Sequence, residues 1–132
     1  MGVDIHGWVE MKVLDEWDGV LRLEAFVGRH RHGFGSMFLD GGLFPPIAKG
    51  RGLPNDISEE AKLSYPEEDW GHSWIYWNEI DEIDWEEVSL SDPSICRRDT
   101  LHQGWDIVFK AMSFMAKKAE KDQVRLVVWF NG

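Results

Sequence analysis

An alternation with a period of two runs through the first thirteen residues and constrains the fold more than any other stretch. Val3, Ile5, Val9, Met11 and Val13 fall on odd positions, interrupted only by Gly7, while Asp4, His6, Trp8, Glu10 and Lys12 fall on even ones. Successive strand side chains point to opposite faces, so this pattern predicts a strand with one buried face. Asp4 and His6 then share a face, one pleat apart, beside the Trp8 indole. A carboxylate and an imidazole at that spacing can share a metal, a proton or a ligand. They can equally bond each other within a buried polar network.

The rest of the chain reads as a sheet with a long excursion in the middle. Asp18-Gly19 is a hairpin signal, so a second strand over 20–28 pairs back on the first. Phe34, Met37 and Phe38 have helical spacing and predict a short, irregularly started helix within 29–40. Glycines and prolines make 40–55 a loop. Asp56 and Glu59 resemble a capping box opening a helix that ends by Pro66. Ser73 is read as the cap of another short helix carrying Trp74, Trp77, Ile80 and Ile83. Residues 84–93 read as loop, with an extended piece over 86–90. Thr100 and Gln103 cap the clearest helix, whose inner face is Leu101, Trp105, Val108, Met112, Met115 and Ala119. Lys117, Lys118 and Lys121 suit its C-terminal dipole. Val124 to Phe130 is a final strand.

This predicts a single α+β domain over 1–132. An antiparallel hairpin and a C-terminal strand share one sheet, packed by the C-terminal amphipathic helix. The loop- and short-helix-rich middle covers the polar face, so Asp4, His6 and Trp8 lie beneath it.

The net charge of −10 is concentrated: ten acids and no Lys or Arg lie between Leu63 and Cys96, while the remaining fourteen acids balance fourteen bases. Such a surplus disfavours nucleic-acid binding, which needs basic side chains to neutralise phosphates. No apolar run approaches the roughly 20 residues of a membrane span, and no signal-peptide pattern is present. The single cysteine, Cys96, excludes an internal disulfide. A cytoplasmic protein, in a host cell, is the expectation.

Four segments carry a resemblance: Met1-Gly2-Val3-Asp4-Ile5-His6, Arg51-Gly52-Leu53-Pro54-Asn55-Asp56-Ile57-Ser58, His72-Ser73-Trp74 and Val124-Arg125-Leu126-Val127-Val128-Trp129-Phe130-Asn131. In order, they resemble small uncharacterised phage and prophage proteins that begin Met-Gly-Cys-Asp-Ile-His. Val3 stands where those proteins carry Cys, and Gly28-Arg29-His30-Arg31-His32 where they carry Arg-Asn-Tyr. The resemblance implies a phage-borne accessory protein and supplies no chemistry. Asp4-Ile5-His6-Gly7 also resembles the first metal motif of calcineurin-like metallophosphoesterases, but only Gly71-His72 echoes their later motifs.

Three functional expectations follow. The first is a binding module for a small anionic compound such as a nucleotide. Arg29, Arg51 and His72 would contact its charge, Trp8 or Trp74 would stack on it, and Asp4 and His6 would orient these groups. The second is a hydrolase in which Asp4, His6 and His72 hold a divalent metal. The third is an acidic interaction protein that inhibits a host factor through residues 63–96. Against each stands a structural reading: Arg51 paired to a local carboxylate, Ser73 as a cap, His30 and His32 in an exposed turn, the indoles as core. Eight tryptophans leave room for a homodimer interface.

Overall fold

The computed structural model describes residues 3–27, 34–64, 66, 68–120 and 123–132. Arg29, His30, His32 and Lys121 lie outside the described residues. Four strands, β1 (Asp4–Val13), β2 (Glu16–Arg22), β3 (Trp70–Tyr76) and β4 (Val124–Asn131), form one antiparallel sheet in the order β2-β1-β4-β3. Among the described residues three α-helices accompany it: α1 (Glu59–Ser64), α2 (Trp77–Asp81) and α3 (Gly104–Lys118). The fold is α+β, as the periodicities imply. No helix among the described residues is long and apolar enough to cross a membrane.

Alternation in the two central strands builds two cores, one on each face. Ile5, Val9, Leu126, Val128 and Phe130 join Ile75 beneath Trp105, Val108 and Met112 of α3. On the opposite face Val127 and Trp129 pack with Ala61 of α1, ringed by Trp8, Leu53, Ile57 and Trp74. β4 is therefore covered on both sides and reads as an almost unbroken apolar run. Gly7 interrupts the pattern for a steric reason. Its φ is +152°, and a Cβ there would fall on the Val127 carbonyl oxygen.

Several local expectations are corrected. The hairpin turns at Leu14 and Asp15, with φ of 50° and 68°, and not at Asp18-Gly19. Val13 then pairs Glu16, and Trp17 pairs Lys12. That register puts the Trp17 ring on the covered face, where it is buried. Asp18-Gly19 lies inside β2, next to the irregularity opposite Val9 and Glu10. Residues 34–40 contain no helix, because Gly35 and Ser36 adopt φ of 63° and 53° in succession. Phe34 instead bridges Leu101.

The helix expected from Ser73 is β3 followed by α2. The indoles at 74 and 77 coincide with helical spacing, but Ser73 and Ile75 alternate with Trp74 and Tyr76 against β4. The Ser73 hydroxyl donates to the Ala48 carbonyl and does not cap a helix. α1 is capped by Ser58, whose Oγ accepts from the Ala61 N–H at 3.2 Å, and not by Asp56. At α3 the Gly104 N–H is met by His102 Nδ1 at 3.0 Å, while the Thr100 hydroxyl turns back to the Arg97 carbonyl at 2.8 Å.

Asp56 is unavailable as a cap because its carboxylate flanks a buried ion pair from the exposed side. Arg125 and Glu10, 2% and 0% exposed, pair at 2.7 Å. Arg125 also donates to Asp56 Oδ1 at 3.0 Å and to the Asp56 carbonyl at 3.3 Å. Its guanidinium lies 3.8 Å from the Trp17 ring centre, and Trp17 Nε1 donates to Asp56 Oδ2 at 3.0 Å. The second Glu10 oxygen accepts from the Ser58 N–H at 2.8 Å. Strands β1, β2 and β4 are thereby fastened to the segment that enters α1.

Breaking a buried pair from one side costs about 3–5 kcal/mol, whereas replacing both partners with apolar groups is often neutral. Arg125→Met is accordingly expected to lower unfolding free energy by about 3–5 kcal/mol in urea titration. Glu10→Gln/Arg125→Met, which keeps an acceptor for the Ser58 N–H, should recover much of that loss.

Candidate functional site

β1, β4 and β3 bring the expected site residues into rows on one face of the sheet. His6 sits opposite Trp129, and the next row runs Trp8, Val127, Trp74. His72 lies at the β3 irregularity that spans Trp70 to Ser73, against the Trp129 position of β4. Asp4 is at the strand's start, opposite Asn131. Asp4, His6, Trp8, His72 and Trp74 thus come from neighbouring strands, yet their side chains are engaged differently from the expectation.

His6 takes Glu24 as its carboxylate neighbour, and not Asp4: Nδ1 lies 3.5 Å from Glu24 Oε2. Glu24 also accepts from the Gly7 N–H at 3.0 Å and from Arg22 Nε at 3.1 Å. The chain leaves β2 through a 3-10 turn over Leu23–Ala25. That turn, which the alternation of 21–27 concealed, is what carries Glu24 back to β1. Trp8 Nε1 donates to Ser64 Oγ of α1 at 3.2 Å, so the indole is a structural contact of the cover. The His72 carbonyl accepts from the Gly52 N–H at 2.9 Å, which lays the 51–52 backbone along β3.

Arg51 is held by a carboxylate of its own chain. Its two terminal nitrogens meet the two oxygens of Glu79 at 2.9 and 2.8 Å, the bidentate geometry that suits a guanidinium. Nη1 also donates to the Trp74 carbonyl at 3.3 Å, and the group lies 4.6 Å over the Trp74 ring. Glu79 Oε2 in turn accepts the Tyr76 N–H at 3.0 Å at the start of α2. Burial alone raises the Glu79 pKa, but the bonds from Arg51 and Tyr76 and the Arg51 charge outweigh it, leaving it below its ordinary value.

The same pairing recurs along the chain. Arg22 meets Glu24, Arg97 meets Glu87, Arg98 meets Glu86, and Arg125 meets Glu10 and Asp56. Every arginine among the described residues therefore faces a carboxylate of its own chain. Nor do Asp4, His6 and His72 gather as a metal site. Among the described residues no group of three or more His, Cys, Asp or Glu side chains is placed to hold an ion.

The open clefts have the opposite electrostatic character. One, of about 420 Å³, lies between loop 40–45 and residues 87–91, lined by Asp40, Leu43, Phe44, Pro45, Glu87, Val88 and Leu90 among others. A neighbour of about 360 Å³ is lined by Ile47, Glu79, Glu82, Ile83, Asp84, Glu87 and Arg97. Glu87 lines both. Arg97, the one basic residue lining either among the described residues, is 1% exposed. Its guanidinium is spent on the Gly35 and Pro45 carbonyls at 2.9 and 3.2 Å and on Glu87 at 3.0 Å.

Leu90, fully exposed, tops a loop that is pinned from within. The Ser89 N–H reaches the Ile95 carbonyl at 2.9 Å, and Ser89 Oγ pairs Ser91 Oγ at 3.0 Å. The Arg97 N–H reaches the Glu87 carbonyl at 2.8 Å, and Val88 bridges Cys96. The acidic run had marked half of this groove in the sequence. The contribution of Asp40, Phe44, Pro45 and Ile47 had no signal beyond glycine and proline punctuation.

No family model, curated protein or solved structure matches the chain.

Asp56, like Glu79, is held below its ordinary value: burial raises it, but Arg125, its own backbone and Trp17 together outweigh that. A carboxylate depressed in the fold contributes stability that is present above its unfolded pKa and lost as pH falls through the folded one. Thermal unfolding should therefore show stability declining as pH drops below the ordinary values of 4.5 for Glu79 and 3.8 for Asp56. Asp56→Asn and Glu79→Gln should each flatten that decline.

Proposed function

We propose that this protein is an interaction module whose groove between residues 40–47 and 79–91 takes a basic, apolar segment of a partner protein. One observation carries the reading. The chain spends its described arginines on internal carboxylates, while its open clefts are lined by apolar side chains and acids. A cationic amphipathic segment could place its apolar side chains beside the exposed Ile47, Val88 and Leu90, with its charges near Asp40, Glu82 and Asp84. Potentials of this kind steer encounter and reject acidic competitors. The pinned Leu90 loop would lose little conformational freedom on binding. Taking the phage resemblance together with this groove, we read the partner as a basic host protein in the cytoplasm and the consequence as its inhibition.

A pocket for a small anionic ligand has less support. Arg51 would have to leave Glu79 to grip an anion, and Arg29 is outside the described residues. A metal-dependent hydrolase would need a third ligand beside Asp4 and His6.

The probe is a short synthetic leucine/lysine amphipathic peptide, titrated against the isotope-labelled protein and followed by amide shifts. Shifts are expected over 40–47 and 79–91, with affinity that weakens as salt rises. Glu82→Lys/Asp84→Lys should weaken binding about tenfold, each reversed rim charge contributing roughly 0.7 kcal/mol at low salt. A raised melting temperature with nucleotides, and none with the peptide, would overturn the reading in favour of the anionic ligand.

A further inference from the structure

α3 carries a second stripe that its own fold does not use. Its inner face, Trp105, Val108 and Met112, is buried in the core. Ile107 and Phe114, 53% and 67% exposed, stand two turns apart on the outer face. Helical spacing sets Ala111 and Lys118 beside them, with Lys110 and Lys117 along one border. Lys117 Nζ lies 5.0 Å over the Phe114 ring. Lys110 is tied to Asp106 at 3.0 Å, both well exposed. The stripe is therefore a basic amphipathic helix face, rigid and already formed.

That chemistry complements the acid-rimmed groove, and the geometry denies the stripe access to the groove of its own chain. Phe109 of α3 packs against Trp85 and Trp77, with ring centres 5.5 and 6.2 Å apart. Those contacts clamp α3 beside α2 and the segment that leads into the groove. Phe109 and Ile107 are two residues apart, about 200° around the helix. The stripe thus points away from the side on which α3 meets that segment. A helix whose opposite face is core cannot roll over to enter the groove.

We propose that the occupant is a second copy of this chain, whose α3 stripe docks head to tail into the groove. The proposal rests on the groove's taking basic apolar segments, as argued above. It adds that the chain itself supplies one. Groove and stripe are different surfaces, so the contact is heterologous and can propagate from copy to copy. Self-association would fill the groove and compete with any other basic partner, making partner capture dependent on the protein's own concentration.

Sedimentation velocity on the full chain and two variants tests this. Phe114→Glu destroys the stripe and leaves the groove; Glu82→Lys/Asp84→Lys destroys the groove rim and leaves the stripe. The wild type should gain mass with concentration at low salt and lose it at high salt. Each variant alone should stay monomeric, and an equal mixture should form a one-to-one dimer that grows no further. A wild type that stays monomeric, association that survives Phe114→Glu, or a mixture that fails to pair would each overturn the proposal. The leucine/lysine peptide separates the two readings. Its binding to Phe114→Glu, with no self-association of the wild type, would sink the head-to-tail contact alone. No peptide binding by any form would sink the groove itself.

Discussion

The Glu10–Arg125–Asp56 cluster is the constraint on which the rest of this structure depends. Burying a guanidinium and a carboxylate is costly, and the cost is offset only when every lone pair and N–H finds a partner. Here Glu10 is satisfied by Arg125 and by the Ser58 N–H, and Arg125 by Glu10, Asp56 and the face of Trp17. These partners come from β1, β4, β2 and the entry to α1, so the cluster closes only when all four are in place. Its role is the placement of the middle segment rather than net stabilisation.

Once that segment is placed, the covered face follows. α1 brings Ala61 onto Val127 and Trp129 and Ser64 to the Trp8 indole. The same stretch of chain lays Arg51 and Gly52 along β3, where Ser73 Oγ accepts the Arg51 N–H at 3.1 Å. Arg51 then reaches Glu79, and Arg97 reaches Glu87 across the loops on the other side. Each pair neutralises one arginine with one carboxylate, so Asp40, Glu82 and Asp84 are the groove acids whose charge stays unpaired by these arginines. The acid surplus, already concentrated between Leu63 and Cys96 in the sequence, is thereby left around grooves with few cations to offset it.

The sheet's central strands were legible because β1 alternates cleanly and β4 combines branched and aromatic side chains, whereas β3 was read as a helix. The amphipathic face of α3 was equally legible. Turn positions were less so. Asp18-Gly19 is a better hairpin signal than Leu14-Asp15, and burial of Trp17 overrode it. Trp74 and Trp77 imitate a helical period across the junction of β3 and α2. Asp56 resembles a helix cap until Arg125, distant in sequence, is known to need it. The Glu24 partner of His6 was hidden for a similar reason, since a 3-10 turn returns it from β2. Long-range ionic pairing leaves no periodic trace, so the arginines' partners were not readable, and the groove wall built from 40–47 was not either.

Arginine side-chain NMR tests the central claim, that the guanidinium groups are internally committed and the accessible face is anionic. The Nη–H resonances of Arg51 and the Nε–H resonances of Arg97 and Arg125 should exchange slowly with water and stay fixed when inorganic phosphate or a nucleotide is added. Arg51 resonances that exchange freely and move on addition of either anion would contradict the account and return Arg51, with Trp74 beneath it, to the role of an anion site.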